Sequence, residues 1–408
     1  MLRKLNIFQP IILIFHFNFL LIFYTKWNKY SHMKSSRMKV SDIGEKQLIE
    51  RIVEKSKSCS IFNASSFNGF DLKTSIGDDS ALTNIDLDGN GYLVSSTDML
   101  IESSHFPYGM TYFQMGYKSV VVNVSDLASM GADNIGFLLN IAVPKDTLLD
   151  DFDDLICGVI SACDNYNIPL IGGDTNEASE IILSGTAIGK VDKDRVLMKY
   201  GFEVGDLVCI TGELGLAALG FELLNLKKDN PNLYEEKIAE INEIDSTISD
   251  LTIFKALKPE AKYEEGHILR EHNTNGNRIS ATDITDGLAS EFYEILNSDR
   301  KLHQLNNKDR DYSNSYSKGI RIYEDKLPVE GEFKDIANIL DLDYLDLFLH
   351  IGEDFELLFT INKELKEQLS NEIDYYVIGE ITDKNTVEIV LLNGDIEKIS
   401  SRGYQHLK

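Results

Sequence analysis

Apolar positions along the chain recur at two spacings, and the two alternate. Short apolar runs predict strands over residues 73–82, 92–95, 137–143, 181–191, 207–211, 279–288, 375–381 and 386–392. The triplet Val120, Val121 and Val122 reads as a further strand ending at Asn123, and 349–361 as a strand-rich segment. Helical spacing predicts helices over 148–166 and 216–224, a helix from about Tyr112, and mostly helical, charged sequence over 225–277. Leu48, Ile49, Ile52 and Val53 share a helical face after Met38, with Ser41 and Gly44 able to begin that helix. Residues 297–318 are polar, rich in Asn, Asp and Ser, and read as a surface insertion. Strands alternating with helices in this way predict an α/β or α+β fold.

At 408 residues, two domains are expected, with a boundary near 190–206. Residues 1–37 differ from the rest, carrying six basic residues and no acidic one. Their apolar core, 8–24, is interrupted by Gln9, Pro10, His16 and Asn18 and sits at the lower length limit for a membrane span. A signal peptide, a membrane anchor and upstream sequence read from too early a start codon all compete. The last is favoured, because Met33 and Met38 offer later starts and no cleavage pattern follows. The division expected is therefore 1–37 outside the domains, 38–192 and 193–408, with a membrane partner only if 1–37 is translated.

The strands predicted from apolar runs tend to finish on an aspartate beside glycine or a small residue. Gly77-Asp78-Asp79, Ser96-Thr97-Asp98, Asp126, Gly173-Asp174, Asp283 with Asp286, and Glu353-Asp354 all fit this description. A single such aspartate is ordinarily a cap or turn residue. Repeated at strand ends, they imply carboxylates gathered at one end of a sheet. Such a cluster repels itself and raises its own pKa values unless cations neutralise it. Oxygen-only ligands of this kind suit Mg²⁺, which joins carboxylates to substrate phosphates. Asp86 to Gly91 imitates the first half of a calcium loop, but the position that needs a bidentate glutamate holds Thr97, so a hairpin turn is the better reading.

The net charge of −26 argues against a phosphate backbone as partner, so no nucleic acid is expected. Hydrophobic and charged fractions of 43% and 26% are those of an ordinary globular protein. Cys59, Cys157, Cys163 and Cys209 form no CxxC pair and read as buried thiols in a reducing compartment, the cytoplasm. No phosphate-binding GxxxxGK[ST], no GxGxxG after a strand and no protein-kinase signature occurs. Gly212 to Gly215, between a strand and a helix, could cradle a phosphate or simply allow tight packing. What remains is metal-assisted phosphoryl transfer or hydrolysis.

In their order, IGDDSAL, SSTDMLIESSHF, GYKSVVVNVSDLASMGA, LIGGDT, ATDITDGLASE and IGEDFELLFT resemble the motifs of the thiamine-monophosphate kinase family. That family shares an ATP-binding superfamily with aminoimidazole ribonucleotide synthetase and selenophosphate synthetase. The resemblance runs from about Met38 to the C-terminus. It implies transfer of phosphate from ATP to thiamine monophosphate, with several Mg²⁺ ions. By position, Asp78, Ser96, Thr97, Asp98, Asp126, Asp174, Asp283 and Asp286 resemble the metal ligands. Gly173, Asp174, Lys199 and Thr285 match positions facing ATP, and His105, Glu353 and Tyr404 match positions holding the thiamine substrate. It further implies a two-domain aminoimidazole-ribonucleotide-synthetase-like fold and a homodimer whose N-terminal sheets form a barrel. Three places depart from the family pattern: Lys199 replaces an arginine and loses its bidentate fork, and Asn176 with Glu177 follows GGDT. A selenophosphate or aminoimidazole ribonucleotide synthetase is the alternative within the superfamily, but Cys59 lies outside any catalytic-cysteine pattern. An acidic cation-binding scaffold would explain the charge and not the ordered motifs.

Overall fold

The computed structural model describes residues 91–403 except 275, 307–315 and 330, together with 38–39, 42, 51–52, 54–56, 66–67, 70–72 and 83–85. The expected strand over 73–82 with Asp78 and Asp79, the turn at 86–90, most of the opening helix, residues 1–37 and Tyr404 lie outside the described residues. Residues 51–52 and 54–56 are helical, and Ile52 is buried.

Two α/β units follow one another. β1 (Ser66–Phe67), β2 (Phe70–Leu72) and β3 (Thr83–Ile85) make a small antiparallel sheet. The first unit is built on β4 (Gly91–Ile101), α1 (Tyr112–Ser129), β5 (Asp133–Val143), α2 (Leu149–Asn165), β6 (Leu170–Glu177) and β7 (Ile182–Asp192). Its sheet runs β4-β7-β5-β6, parallel only between β5 and β6, which α2 connects. Both helices cover one face, and Leu93 and Met99 on β4 remain 50% and 55% exposed. The sheet is open in the single chain, without the closed barrel that the resemblance implies for a dimer.

Val120, Val121 and Val122 are helical, which corrects the strand expected there. They lie inside α1, and all three are buried. Thr111 begins α1 with a reciprocal capping box: its hydroxyl accepts from Gln114 N (3.3 Å), and Gln114 Oε1 accepts from Thr111 N (2.9 Å). Packing then overrides the β preference of valine. Gly116 and Gly158 let α1 and α2 meet backbone to backbone. A Cβ on Gly116 would stand 2.0 Å from the Leu155 carbonyl oxygen, and one on Gly158 1.9 Å from that of Phe113.

The second unit begins with β8 (Leu207–Ile210), α3 (Leu216–Asp229), α4 (Pro231–Ile244), α5 (Ile248–Leu257) and α6 (Tyr263–His272). It continues with β9 (Ile279–Asp283), α7 (Leu288–Asn306), β10 (Gly319–Tyr323), α8 (Gly331–Ile339) and α9 (Tyr344–His350). β11 (Leu357–Ile361), β12 (Tyr376–Thr382), β13 (Val387–Val390) and β14 (Ile396–Lys398) complete it. Its seven-stranded sheet runs β14-β13-β10-β12-β8-β11-β9. Three expectations are adjusted here. The strand expected over 279–288 stops at Asp283, where the chain turns before α7. The head of the polar insertion is the end of α7, and 307–315 lie outside the described residues. The segment 349–361 is the end of α9, a loop, and β11. Glu353 and Phe355 stand at φ +70° and +54° in that loop, a conformation no strand continues through.

The units are joined along one seam. Leu197 N donates to Met130 O (3.2 Å), Ala281 N to Met198 O (3.0 Å), and Arg270 to Asp133 (2.7 Å). Phe355, from the second unit, is buried in the core of the first. Among the described residues no helix is long and apolar enough to cross a membrane.

Candidate active site

A cleft of about 770 Å³ opens along this seam, and its wall includes Asp98, His105, Asp126, Thr285, Asp286 and Glu353. These come from four elements of both units: β4 and the turn after it, α1, the β9–α7 loop, and the loop before β11. The strand-end pattern groups the four carboxylates among them, and the resemblance alone adds His105 and Thr285.

One end of the cleft is acidic. β4 alternates its side chains, so Ser96 and Asp98 face α1 while Thr97 faces the open side of the sheet. The Ser96 hydroxyl donates to Asp126 Oδ2, and Asp98 N donates to Asn123 Oδ1 (3.0 Å), so β4 is held against α1 at this point. Asp283, at the end of β9, is buried at 4% exposure, and its Oδ2 has no hydrogen-bond partner among the described residues. Burial raises the pKa of Asp98, and the charges of Asp283 and Asp286 raise it further. Asp126 is pushed up to about 6 by burial and then by Asp98, while the Ser96 hydroxyl and Lys199 oppose the rise. Asp283 is pushed up to about 7 by burial and by Asp126. Glu291, one turn into α7, is pushed up to about 8 by burial, with Asp283 and Asp286 adding to it and Lys199 opposing. This is the self-repelling cluster expected from the sequence, with Lys199 as its nearby cation.

No three His, Cys, Asp or Glu side chains among the described residues converge into a preformed metal cage. The donors nonetheless fit magnesium: they are all oxygens, they are mutually destabilised, and one buried carboxylate oxygen is orphaned.

Some expected site residues stand apart. The Thr97 hydroxyl donates to Gly185 O (2.8 Å) on the open face, so its side chain does not reach the cluster. Gly173 and Asp174 lie on β6, the far edge of the sheet, and both are exposed. Asp98, Gly185, Leu139 and Gly173 form one row across the four strands, which puts Gly173 roughly 14 Å from Asp98. Gly173 is required by the sheet itself, because a Cβ there would stand 1.8 Å from Leu139 O. Asp78 and Tyr404 lie outside the described residues. The Gly212–Gly215 loop is spent on packing: Gly215 N donates to Asp354 Oδ1 (3.1 Å), and a Cβ on Gly212 would strike the Glu356 carboxylate at 2.5 Å.

At the other end of the cleft stand His105 and Glu353. His105 Nδ1 lies within hydrogen-bond distance of both Ile101 N (2.9 Å) and Ile101 O (3.2 Å), which holds the ring against the end of β4. Glu353 N donates to Thr285 O (2.9 Å), and Gly352 passes so close to Thr285 O that a Cβ would stand 1.9 Å away. Lys118 was missed from the sequence. Its Nζ donates to Glu353 Oε2 and to His105 O (2.8 Å). The signal was present: Lys118, Val122 and Asp126 recur every four residues, one face of a helix. Taking the valines as a strand concealed it.

Residues 77–191 match the family described as AIR synthase related protein, N-terminal domain. The thiamine-monophosphate kinase of Pyrococcus abyssi is 33% identical over 333 residues, covering 82% of this chain and 91% of that protein. The crystal structure of thiamine-monophosphate kinase from Stenotrophomonas maltophilia K279a is similar at a TM-score of 0.63 and 26% identity, over 85% of this chain and 96% of that one. AaThiL complexed with AMPPCP and TMP shares the fold at a TM-score of 0.61 and 23% identity, over 91% of this chain and 100% of that one.

Proposed function

The chain belongs to the thiamine-monophosphate kinase family, and from that membership we propose how its cleft serves the ATP-dependent phosphorylation of thiamine monophosphate to thiamine diphosphate. The observation that carries the assignment of roles is the polarity of the cleft: an acidic end lined by Asp98, Asp126 and Asp286, with the buried Asp283 and its orphaned oxygen acting on Asp126, and a far end formed by His105 and Glu353.

At the acidic end Asp98, Asp126, Asp283 and Asp286, with the Ser96 hydroxyl, would hold Mg²⁺, and Asp78 would join them. Bound magnesium supplies the positive charge that lets two anionic phosphates approach. Lys199 offsets Asp126 and Asp283 electrostatically, which supports a role for it toward the phosphates of ATP. Thr285 lines the same cleft as Asp98, Asp126 and Asp286. The acceptor is already a phosphate anion, so no residue need remove a proton, and none is assigned as general base. The transfer is direct, without a phospho-enzyme. His105 and Glu353 take the thiamine end, and Tyr404 offers a π face to the cationic thiazolium ring.

Gly173 and Asp174 fit this scheme through a homodimer. The open face of the first sheet carries Leu93, Thr97, Met99 and Ile188, the kind of face a second copy covers. If the two sheets close into a barrel, the β6 edge of one copy can lie against the β4 edge of the other. The Gly173–Asp174 end of β6 would then lie beside the β4 edge of the neighbouring copy. The domain limits that suit this arrangement are 38–192 and 193–408, and the reducing cytoplasm suits the buried thiols of Cys157, Cys163 and Cys209, none of them in a disulfide among the described residues.

The test is an assay with Mg-ATP and thiamine monophosphate that measures thiamine diphosphate. Turnover only with a different acceptor would move the chain to another activity of the superfamily. A labelled enzyme intermediate from [γ-³²P]ATP would overturn the direct transfer.

A further inference from the structure

Lys118 is 1% exposed, among the largest fully buried side chains of the molecule. A lysine is almost never buried so completely unless its charge is answered. It lies on α1, two turns before Asp126 on the same face, so about 12 Å along the helix axis separates it from the acidic end. Its Nζ reaches both walls of the cleft at once. One bond goes to the His105 carbonyl in the first unit (2.8 Å), and the other pairs it with Glu353 Oε2 in the second.

Glu353 needs such a partner. Its backbone is held at φ +70°, where a residue with a Cβ stands only when its surroundings impose it. Its N–H is fixed on Thr285 O (2.9 Å), and its side chain, 31% exposed, remains at the cleft. With Oε2 taken by Lys118, Oε1 is left to accept from a bound molecule. The thiamine moiety carries a suitable donor in its pyrimidine amino group.

We propose that Lys118 is a positioning residue for the substrate: by holding Glu353 Oε2 and the His105 carbonyl together, it aims Glu353 Oε1 at the amino group of thiamine monophosphate. This rests on the reading that Glu353 and His105 form the thiamine end of the cleft. Lys118 touches no phosphate and takes no part in the transfer step. Its contribution is to recognition, and to the register between the two units at this end.

The measurement is steady-state kinetics of the full chain with thiamine monophosphate and with oxythiamine monophosphate, whose amino group is replaced by oxygen. Lys118→Met should raise KM for thiamine monophosphate at least about tenfold and leave KM for Mg-ATP within about twofold. It should also reduce the preference for the amino over the oxo substrate at least about tenfold, because an unaimed carboxylate no longer tests for a donor. An unchanged preference, or a fall in kcat alone in step with the folded fraction, overturns the proposal. If Lys118→Met does not fold, the double variant Lys118→Met/Glu353→Gln removes both charges. It should fold and show the same lost preference, and a retained preference overturns the proposal. Glu353→Gln alone tests the underlying reading. If it leaves KM and preference untouched, the assignment of Glu353 to the substrate fails. If it changes both while Lys118→Met changes neither, only the role of Lys118 fails.

Discussion

Asp354 follows Glu353 in the chain and has a different environment. Its Oδ1 accepts from Gly215 N at 3.1 Å, while its Oδ2 is buried with no partner among the described residues. Burial pushes its pKa well above the ordinary value of 3.8, with Glu356 adding to the rise and Lys255 opposing it. A carboxyl whose pKa is raised on folding binds more protons folded than unfolded, so its contribution to stability falls as pH climbs above 3.8 toward the folded value. Asparagine reproduces the protonated form at the same size. Asp354→Asn should therefore gain on the parent in urea unfolding as pH rises from 4 to 8; an unchanged stability difference between the two pH values would refute the burial argument. Asp126→Asn should abolish turnover without lowering the Tm of the metal-free protein, since it removes a carboxylate already pushed up to about 6. Near-normal activity would remove Asp126 from the metal end. At this scale, residue identities were legible in the sequence wherever a motif carried them. Lys118 was not, because its role depends on a helix face and on a loop 235 positions away.

Among the elements, α1 matters most to the site. It carries Lys118, Val122 and Asp126 along one face of the cleft, and its remaining faces are buried against α2, β4 and β7. Its three successive valines favour a strand by local preference. The outcome is decided by the crossing with α2, where Gly116 and Gly158 allow contacts that no side chain would permit. Gly116→Ala should cost about 1–3 kcal/mol or more by overpacking, despite the better helix propensity of alanine. Denaturant titration checks this, and a stabilised variant would show that the crossing has room to relax. The helices and strands with clear periodicity, α2, β5, β7 and β8, fall within a few residues of their expected limits. The loop from Gly352 to Phe355 could not be anticipated, because its left-handed residues are imposed by the Thr285 and Ile284 carbonyls of a neighbouring loop.

For the molecule as a whole, the open face of the first sheet and the separation of Asp98 from Asp174 bear on assembly. A homodimer should be seen by sedimentation, and Leu93→Asp on the exposed face should shift it toward monomer. Subunit mixing gives a sharper test. Asp98→Asn and Asp174→Asn are each expected to be inactive alone. If each site takes these two aspartates from different copies, mixing the variants should restore about a quarter of parental activity, since half of the dimers then hold one intact site. No recovery after verified exchange would place both aspartates in the same copy.

The order of acidic strand ends and glycine loops, the alternation of strands and helices, and the family-specific motifs were all readable in the sequence, because each depends on residues close together along the chain. The meeting of those acids across a seam between two units was decided only by the tertiary structure, as were the helical state of the valine run and the grip of Lys118 on Glu353. Each of these turns on contacts between residues distant in sequence, where burial and backbone packing outweigh local preference. Thr97 and Asp174 make the same point from the other side. Their motifs group them with Asp98, and the pleat of the sheet sets their side chains on the opposite face.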